Sequence, residues 1–578
     1  MKAENAGQAQ AMALVDEFVR CGMSHACLSP GSRSTPLALA LADRPEIDLH
    51  VSIDERSMSF LALGIAKASR RPVAMLTTSG SAAAHLHPAV IEAHHSQVPL
   101  LVLTADRPPE LRDTGAGQTI DQIKLYPGSV RWFCEVGVAE ARAESVPYWR
   151  SVACRAHHTS MWPVAGPVHL NLAFRNPLVP VPDAAGFPFD LDGRPAGKPW
   201  TEATGSPLQA GEDDLARLQT ELEATERGLI VAGTSDLDPA PIVELARVLG
   251  WPLLAEATSN ARRGPNAIST YDALLRVKGF WETHRPELVL RFGHIGTSNQ
   301  LAAALDPSLR QIAVNPAAWL DPTRAVSWMI RADPDQVCRG LCSRIEPRPG
   351  SAWLDEWLEA ESKARRAIDS FLDNHQQLSE PGIARDMASA LPPGSNLVVA
   401  SSMPVRDLDW FMRSSPGVTV RANRGANGID GFVSSCLGIA LSQTRRPTVG
   451  LSGDLSFLHD QNGFLLASGS TPDVVFVVVN NNGGGIFSFL PQAAEPEFER
   501  LFGTPPNHDF ALLAKSYGCT YRSIHRSSAL APAVSQAVSI GGAHILEART
   551  DRVENVKIHN LIWSKVSDAV GSADRKKS

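Results

Sequence analysis

The chain has 578 residues and a formal net charge of −7, with 44% hydrophobic and 20% charged residues. This length predicts about three domains of roughly 100–200 residues each, and the acidic balance excludes a general electrostatic attraction to nucleic acid or anionic membranes. No stretch reaches the roughly 18 apolar residues of a membrane span, and the polar N-terminus lacks the apolar core of a signal peptide. We therefore expect a cytoplasmic protein with no membrane span and no nucleic-acid partner.

The eight cysteines form no CxxC pair, and a disulfide framework is not expected in so large a chain. Cys338 and Cys342 are four positions apart, but no histidine or cysteine pair follows them at the spacing of a zinc site. The sequence therefore favours neither a disulfide framework nor a zinc site.

Two stretches separate the chain into three parts. Residues 179–213 are rich in proline, glycine and acidic residues, and residues 343–351 read Ser-Arg-Ile-Glu-Pro-Arg-Pro-Gly-Ser. Both compositions are typical of linkers. They predict domains that span residues 1–182, 205–345 and 352–578.

All three parts alternate strand and helix, which indicates βαβ units with parallel sheets covered on both faces. The sequence therefore predicts an α/β protein with three doubly wound parallel-sheet domains. Helices are expected over residues 9–21 and 241–249. The short apolar runs that predict buried strands are Pro72–Thr78, Leu100–Thr104, Gly228–Ala232, Glu287–Arg291, Asn396–Ser401, Thr448–Ser452 and Asp473–Val479.

The first and third domains repeat a similar succession of elements. The strand from Val73 leads to Ser79-Gly80, and the next strand ends in a polar turn at residues 104–106. The strand from Thr448 leads to Ser452-Gly453, and the next one ends at residues 480–482. We therefore expect the two domains to share a fold.

Asp454 and Asn481 are the candidate metal ligands. They are 27 positions apart, and a βαβ step of that length returns both residues to the same edge of a parallel sheet. Mg²⁺ prefers oxygen ligands, which the two side chains and a backbone carbonyl within Gly483–Gly485 would supply. The amides after Gly453 would face phosphate oxygens. Either segment alone is typical of a turn or flexible loop; together they predict a magnesium and diphosphate site.

The two segments resemble the signature of thiamine-diphosphate enzymes, in which Gly-Asp-Gly is followed at a similar distance by Asn-Asn. Leu455 stands where the third position is usually glycine. In such enzymes a glutamate contacts N1′ of the aminopyrimidine and promotes removal of the thiazolium C2 proton. Glu55 suits this role because it follows the strand-like run 49–53 and precedes a helix near Ser57; a solvated acidic turn is the alternative.

Five further segments carry more specific motifs. They are Ser-Pro-Gly-Ser-Arg-Ser-Thr-Pro-Leu at 29–37, Asp-Glu-Arg at 54–56, Thr-Ser-Gly-Ser-Ala at 78–82, Thr-Ala-Asp-Arg-Pro-Pro-Glu-Leu at 104–111 and Asn-Arg-Gly-Ala-Asn-Gly-Ile-Asp-Gly at 423–431. Together they resemble the 2-succinyl-5-enolpyruvyl-6-hydroxy-3-cyclohexene-1-carboxylate synthases of the menaquinone pathway. The order of motifs matches from about residue 7 to residue 550, and the Gly-Asp-Leu-Ser form of residues 453–456 also belongs to that branch.

The resemblance implies decarboxylation of 2-oxoglutarate and addition of the resulting succinyl carbanion equivalent to isochorismate. Thiamine diphosphate and Mg²⁺ or Mn²⁺ would be the cofactors, with residues 1–182 binding the pyrimidine and residues 352–578 the diphosphate. The family is at least dimeric, which implies a homodimer or a dimer of dimers, with the first domain of one subunit facing the third domain of another.

The resemblance also implies a role for each matched residue. Glu55 would be catalytic, Ile429 would bend the cofactor, and the metal ligands would be Asp454, Asn481 and Gly483. The remaining cofactor contacts would be Ser402, Gly453, Leu455, Ser456, Ile486 and Phe487.

The substrate contacts follow from the same matches. Ser402 and Arg406 would hold the distal carboxylate of 2-oxoglutarate, because guanidinium groups bind carboxylates bidentately. Arg424 would lie beside the cofactor and the substrate. Leu490 would line the pocket, and isochorismate would contact Ser32, Arg33, Arg107 and Gln118. Surface ion pairs are the alternative for each arginine, and core packing is the alternative for Ile486, Phe487 and Leu490.

Two departures from the family pattern concern the acceptor. The family carries one or two basic residues where positions 293–301 hold only His294, Asn299 and Gln300, and the family's asparagine before the glutamine is Gly117 here. Loss of a charged contact to a carboxylate costs roughly 1.5–3 kcal/mol. The departures favour, as the alternative, another thiamine-diphosphate carboligase or 2-oxoacid decarboxylase with a different acceptor. A non-catalytic homologue would lack Glu55, Asp454 or Asn481, and all three are present.

Overall fold

The computed structural model describes residues 2–180, 186–414, 417–466 and 471–571. The outer limits of the predicted domains at residues 1, 182 and 578 lie outside these ranges, and the three domain boundaries stay a prediction. Within the described ranges the strands form three six-stranded sheets in which every pairing between strands is parallel.

The first sheet has the strand order β2-β1-β3-β4-β6-β5. Its central strands are buried along their whole length because helices cover both faces. The strands are β1 His25–Leu28, β2 Asp48–Val51, β3 Val73–Thr77, β4 Leu100–Asp106, β5 Trp132–Glu135 and β6 Pro167–Ala173. The helices of this region are α1 Ala6–Arg20, α2 Thr35–Ala42, α3 Glu55–Ser69, α4 Ser81–Ala84, α5 His87–Ser96 and α6 Ser145–Met161.

The second sheet has the order β12-β11-β10-β7-β8-β9, in which the strand order reverses between β7 and β10. Its strands are β7 Gly228–Ala232, β8 Leu253–Ala255, β9 Ala267–Ile268, β10 Leu288–Phe292, β11 Arg310–Val314 and β12 Trp328–Ile330. Its helices are α7 Glu212–Ala224, α8 Ala240–Leu249, α9 Tyr271–Leu275, α10 Phe280–Thr283, α11 Asn299–Ala304 and α12 Pro334–Cys342.

The third sheet has the order β14-β13-β15-β16-β18-β17, which repeats the order of the first sheet strand for strand. The expected relationship between the first and third folds is therefore confirmed. The strands are β13 Asn396–Val399, β14 Thr419–Arg421, β15 Thr448–Gly453, β16 Val474–Asn480, β17 Thr520–Ile524 and β18 Ala543–Arg549. The helices are α13 Ala352–Asn374, α14 Glu380–Ser389, α15 Met403–Phe411, α16 Phe432–Ser442, α17 Asp454–His459, α18 Phe510–Ser516, α19 Ser527–Ile540 and α20 Arg552–Gly571.

The chain packs into two compact units. The first contains Met1–Ser206, Asn423–Arg445 and His459–Pro472. The second contains Pro207–Ala422, Arg446–Leu458 and Asp473–Ser578. Helix α16 and the short stretch His459–Pro472 therefore belong to the first unit, although both follow strands β13 and β14 of the third sheet in sequence.

Helices α3 and α16 cross closely within the first unit. A Cβ on Gly64 would lie 2.3 Å from the carbonyl oxygen of Ser435, and a Cβ on Gly438 would lie 2.2 Å from that of Leu61. Gly431, at φ +71°, has no room for a side chain beside Phe60. These contacts fix α3, which begins at Glu55, against the helix that follows the 423–431 motif.

The described cysteines are all free thiols. Among the residues that the structure describes, no helix combines the length and the apolar character needed to span a membrane.

Candidate active site

The two candidate metal ligands lie at the carboxyl ends of neighbouring strands. Gly453 at the end of β15 pairs with Val479 in β16, so Asp454 and Asn481 follow directly at one sheet edge. The Asp454 carboxylate accepts hydrogen bonds from the backbone N–H of Gly483 at 2.8 Å and of Leu455 at 2.7 Å. Asp454, Asn481 and Gly483 are thus brought together, as the strand spacing predicts.

Burial dominates the electrostatics of this edge. Asp454 is 1% exposed, and its burial raises the pKa of the carboxyl to about 6, against the lowering effect of the two backbone donors. The backbone turns sharply here, with φ +56° at Asn482 and +141° at Gly483. A Cβ on Gly483 would lie 2.1 Å from the carbonyl oxygen of Gly503, so the position requires glycine.

Asn481 is held by a residue that the sequence did not point to. Its Nδ2 donates to Oε1 of Glu380 at 2.9 Å, and the hydroxyl of Thr550 donates to the same oxygen at 3.0 Å. The Oδ1 atom of Asn481 is buried and has no hydrogen-bond partner among the described residues. A buried acceptor without a donor is unusual in a native structure, and a cation would satisfy it.

Ser402 and Arg406 follow β13, which pairs with β15 in the same sheet. Ser402 precedes α15 with φ +77°, and its carbonyl oxygen accepts a hydrogen bond from Nη1 of Arg406 at 2.7 Å. Burial lowers the pKa of the Arg406 guanidinium. Two buried carboxylates hold this helix: Asp407 contacts His559 at 2.6 Å, and Asp409 contacts Arg262 at 2.9 Å.

The apolar candidates follow the glycine turn. Ile486 and Phe487 lie in a short 3₁₀ helix, Gly485–Phe489, and both are half-buried. Leu490 is exposed. Leu455 and Ser456 lie in the first turn of α17, where the Leu455 amide is already bonded to Asp454.

Glu55 is the first residue of α3, two positions before the expected start of that helix. Asp54 caps the helix by accepting a hydrogen bond from the Ser57 N–H at 3.0 Å, and its other oxygen accepts from Asn462 at 2.9 Å. The half-buried Glu55 carboxylate makes no hydrogen bond or ion pair with any residue that the structure describes. It is therefore available to a ligand.

The other first-unit candidates follow neighbouring strands of the first sheet. Arg33 follows β1 and donates from Nη1 to the Phe174 carbonyl oxygen at 2.7 Å, while Arg107 follows β4. The Nε atoms of Arg33 and Arg107 are buried and have no partner among the described residues. Ser32 is exposed. Gln118, at φ +55°, donates from Nε2 to the Ser79 carbonyl oxygen at 3.0 Å.

The 423–431 loop is anchored by Glu92 of α5. Its carboxylate accepts from the N–H groups of Gly425 at 2.9 Å and Ala426 at 2.7 Å. Arg424, immediately before them, is 4% exposed, and Ile429 is half-buried. One buried carboxylate thus sets the path of the loop that carries both candidates.

The residues of the predicted departures belong to different units. Asn299 and Gln300 open α11 in the second unit, after the helix-capping Ser298. Gly117 belongs to the first unit and is exposed, and a Cβ there would meet nothing within 4 Å.

Sequence reasoning missed Glu92, Glu380 and Asp460. Asp460 accepts hydrogen bonds from Ser57 at 3.3 Å and from the Ser434 N–H at 2.7 Å, and its burial raises the pKa to about 6. These three acidic residues lie in helices or turns, and the neighbouring sequence does not indicate that they are buried or what they bind. Their partners are distant in sequence, as 403 positions separate Ser57 from Asp460.

Three domain families match the chain. "Thiamine pyrophosphate enzyme, N-terminal TPP binding domain" covers residues 9–125. "Middle domain of thiamine pyrophosphate" covers residues 196–399. "Thiamine pyrophosphate enzyme, C-terminal TPP binding domain" covers residues 417–548. A solved structure described as a putative thiamin diphosphate-dependent enzyme from Mycobacterium smegmatis aligns with a TM-score of 0.70 over 94% of this chain and 99% of that one. At 17% identity this similarity shows the fold.

Curated relatives match nearly end to end. Three proteins named 2-succinyl-5-enolpyruvyl-6-hydroxy-3-cyclohexene-1-carboxylate synthase come from Thermobifida fusca, Chloroflexus aurantiacus and Geobacillus kaustophilus. They are 47%, 44% and 42% identical, over 98%, 97% and 96% of this chain and 100%, 96% and 97% of their own lengths. The resemblance inferred from the motifs is confirmed. The chain is a thiamine-diphosphate-dependent transferase that belongs to the 2-succinyl-5-enolpyruvyl-6-hydroxy-3-cyclohexene-1-carboxylate synthase family.

Proposed function

We propose that this enzyme decarboxylates 2-oxoglutarate and transfers the resulting succinyl group to isochorismate, as a step of menaquinone biosynthesis. The observation that carries the proposal is 47% identity to the Thermobifida fusca synthase over 98% of the chain. The products are 2-succinyl-5-enolpyruvyl-6-hydroxy-3-cyclohexene-1-carboxylate and CO₂.

A divalent cation fits the sheet edge at Asp454. The unpartnered Oδ1 of Asn481 and the carboxylate of Asp454 are hard oxygen donors of the kind that Mg²⁺ and Mn²⁺ prefer. The Gly483 carbonyl accepts only from Gly485 at 2.9 Å among the bonds described, so it retains a lone pair for a cation. We assign Asp454, Asn481 and Gly483 to the metal, and Gly453, Leu455 and Ser456 to the diphosphate.

Bound thiamine diphosphate supplies the electron sink that decarboxylation of a 2-oxo acid requires. Glu55 is assigned to N1′ of the aminopyrimidine, where it holds the proton that shifts the ring between its tautomers. Its lack of a protein partner supports this role, because a carboxylate already bonded to an arginine would be a poor proton acceptor. Ile429, Ile486 and Phe487 are assigned to apolar contacts with the cofactor.

The arginines suit two dianionic substrates. Arg406 and Ser402 are assigned to the distal carboxylate of 2-oxoglutarate, Arg424 to contact with the cofactor and substrate, and Leu490 to the pocket wall. Arg33, Arg107, Ser32 and Gln118 are assigned to isochorismate. The buried, unpartnered Nε atoms of Arg33 and Arg107 support an anionic ligand, since a carboxylate would satisfy them.

The proposal also covers the oligomeric state of the enzyme and its location in the cell. A homodimer or dimer of dimers is proposed from the family, and a cytoplasmic location is supported by the free cysteines, which are typical of a reducing compartment.

The decisive experiment is mass spectrometry of the products formed with thiamine diphosphate and Mg²⁺. With 2-oxoglutarate and isochorismate, we expect a succinylated cyclohexene carboxylate and one CO₂ per turnover. Pyruvate in place of isochorismate tests the alternative of a different acceptor, to which the substitutions at 299, 300 and 117 point. A product from pyruvate and none from isochorismate would contradict the assigned acceptor.

Glu55→Gln tests the proton role separately. The variant should bind thiamine diphosphate with little change and lose decarboxylation of 2-oxoglutarate by roughly 100–10,000-fold. Glu110→Gln is the control, because Glu110 forms an exposed ion pair with Arg175. Undiminished CO₂ release from Glu55→Gln would remove Glu55 from this role.

A further inference from the structure

Two thiols from different helices meet in the interior of the first unit. Cys21 caps the C-terminal end of α1 and Cys154 lies in α6. Their Sγ atoms are 3.9 Å apart, although the residues are 133 positions apart in sequence. Cys154 is 3% exposed and Cys21 is half-buried, so the pair reaches solvent through Cys21.

The hydrogen bonds around the pair have a direction. The thiol of Cys21 donates to Sγ of Cys154, which also accepts from the backbone N–H of Thr201 at 3.4 Å. The thiol of Cys154 in turn donates to Oε1 of Glu17 at 3.2 Å. The hydrogen bond from Cys21 lowers the pKa of Cys154 and raises that of Cys21.

The carboxylate of Glu17 completes a three-residue group with ligand atoms within 4.8 Å of one another, but both of its oxygens already have other partners. Its Oε2 is paired with Arg150 at 2.5 Å, and its Oε1 accepts from the Trp200 N–H. Two thiols then remain, which is fewer than the three or four ligands of a protein zinc site. The arrangement favours chemistry between the thiols over a metal.

We propose that Cys21 and Cys154 form an oxidisable dithiol that closes to an intramolecular disulfide on exposure to hydrogen peroxide. One of the two sulfurs attacks a peroxide oxygen as its thiolate, the O–O bond breaks, and water leaves after protonation, which gives a sulfenic acid. The other sulfur then attacks the sulfenic sulfur, the S–O bond breaks, and a second water leaves. Two thiols lose two electrons and two protons, and peroxide is reduced to two waters.

The disulfide would lie beneath a segment that we call the covering segment, residues 191–201. Its backbone is held by α1 and α6: Leu191 accepts from Arg150, and Arg194 accepts from Arg20 at 2.8 Å. Drawing the sulfurs from 3.9 Å to the roughly 2.05 Å of a disulfide ties these two helices covalently. Oxidation should therefore stiffen the first unit under the covering segment.

The test oxidises the full-length protein with hydrogen peroxide and maps its disulfides by non-reducing peptide mass spectrometry. We expect a Cys21–Cys154 cross-link, loss of two thiols and a rise in Tm of roughly 5–10 °C, since the bond closes a long loop. Dithiothreitol should reverse all three changes. On the reduced protein, phenylarsine oxide should bind in one equivalent, because trivalent arsenic bridges paired thiols.

Matched variants complete the test. Cys21→Ser and Cys21→Ala should lose the cross-link, the Tm rise and the arsenical equivalent, whereas Cys342→Ser, at another half-buried thiol, should keep all three. If neither Cys21 variant folds, the disulfide map and the arsenical titration of the wild-type protein are sufficient to test the proposal. Retention of all eight thiols after peroxide, a cross-link between other cysteines, or zinc protecting this pair from alkylation would overturn the proposal.

Discussion

The side-chain amide of Asn481 is oriented by Glu380: Nδ2 donates to the Glu380 carboxylate at 2.9 Å, which leaves the buried Oδ1 without a protein partner. The Glu380 carboxylate thereby determines that the oxygen of the Asn481 amide, and not its nitrogen, faces the proposed cation. Residues that orient metal ligands in this way commonly affect metal affinity as strongly as they affect activity.

Glu380→Ala should weaken binding of Mn²⁺ by roughly 10–100-fold, because Asn481 is then free to turn its Nδ2 toward the site. Titration of Mn²⁺ into protein saturated with thiamine diphosphate, followed by electron paramagnetic resonance, measures the affinity without turnover. Glu380→Gln is the conservative variant and should recover most of it, since its oxygen still accepts from Asn481. Equal Mn²⁺ affinity in all three proteins would exclude the orienting role.

Glu92→Gln should loosen the loop that carries Arg424. A carboxylate accepts from both Gly425 and Ala426, whereas the glutamine would turn its NH₂ group toward one of the two N–H donors. We expect a loss of about 1–3 kcal/mol in unfolding free energy and faster hydrogen exchange at residues 424–428. Glu110→Gln at an exposed ion pair should match the wild type, and unchanged exchange in Glu92→Gln would refute the anchor.

Gly438→Ala should destabilise the first unit. Its Cβ would lie 2.2 Å from a backbone oxygen of α3, so the two helices must separate. We expect a cost at the upper end of the about 1–3 kcal/mol typical of overpacking, seen as a lower Tm. Gly340→Ala in α12 is the matched control because its nearest neighbour is a leucine methyl at 3.4 Å. It should be neutral or stabilising.

Acid should destabilise the first unit through His169. Burial lowers the pKa of this imidazole to about 3, and its Nε2 contacts the Thr104 hydroxyl at 2.7 Å. Because that hydroxyl donates to Asn171, it accepts from His169, which is therefore the Nε2–H tautomer. Nδ1 is buried without a partner among the described residues, so a second proton has no acceptor.

The direction of the pH effect follows from the depressed pKa. The unfolded chain takes up a proton near pH 6.5 and the folded chain does not, so the His169 contribution is complete above about pH 6.5 and falls as the pH drops toward 3. At pH 5 the loss should be about 2 kcal/mol. His169→Gln should show a shallower decline in denaturant midpoint between pH 7.5 and 5, while His508→Gln, at an exposed position, should follow the wild type. Parallel declines in all three would exclude this origin.

Strands with uninterrupted apolar runs could be predicted from the sequence. Gly228–Ala232 was predicted with both ends correct, and Thr448–Ser452 differs from β15 by one residue. Strand β6 is not predicted from the sequence, because His169 and Asn171 interrupt its apolar pattern. Both side chains are nevertheless buried, and they hydrogen-bond to Thr104 and Asp106 of the neighbouring strand. Such tertiary partners have no local sequence signal.

The site residues likewise divide into those that the sequence predicts and those that it does not. The proximity of Asp454 and Asn481 follows from strand spacing alone, because parallel topology brings consecutive strand ends together. Glu380 could not be predicted in this way, since 101 positions separate it from Asn481. Its own surroundings, Ser379 before it and Pro381 after it, indicate only the start of a helix.

The close crossing of α3 and α16 has a consequence for synthesis of the protein. Phe60 and Ser435, which bond across this crossing, are 375 positions apart. At roughly 5–20 residues per second, a ribosome would need about 20–75 s to supply the second helix after the first has emerged. During that interval the face of α3 that carries Phe60, Leu61 and Gly64 lacks its α16 partner, so the nascent chain must be kept from aggregating until its last third is made.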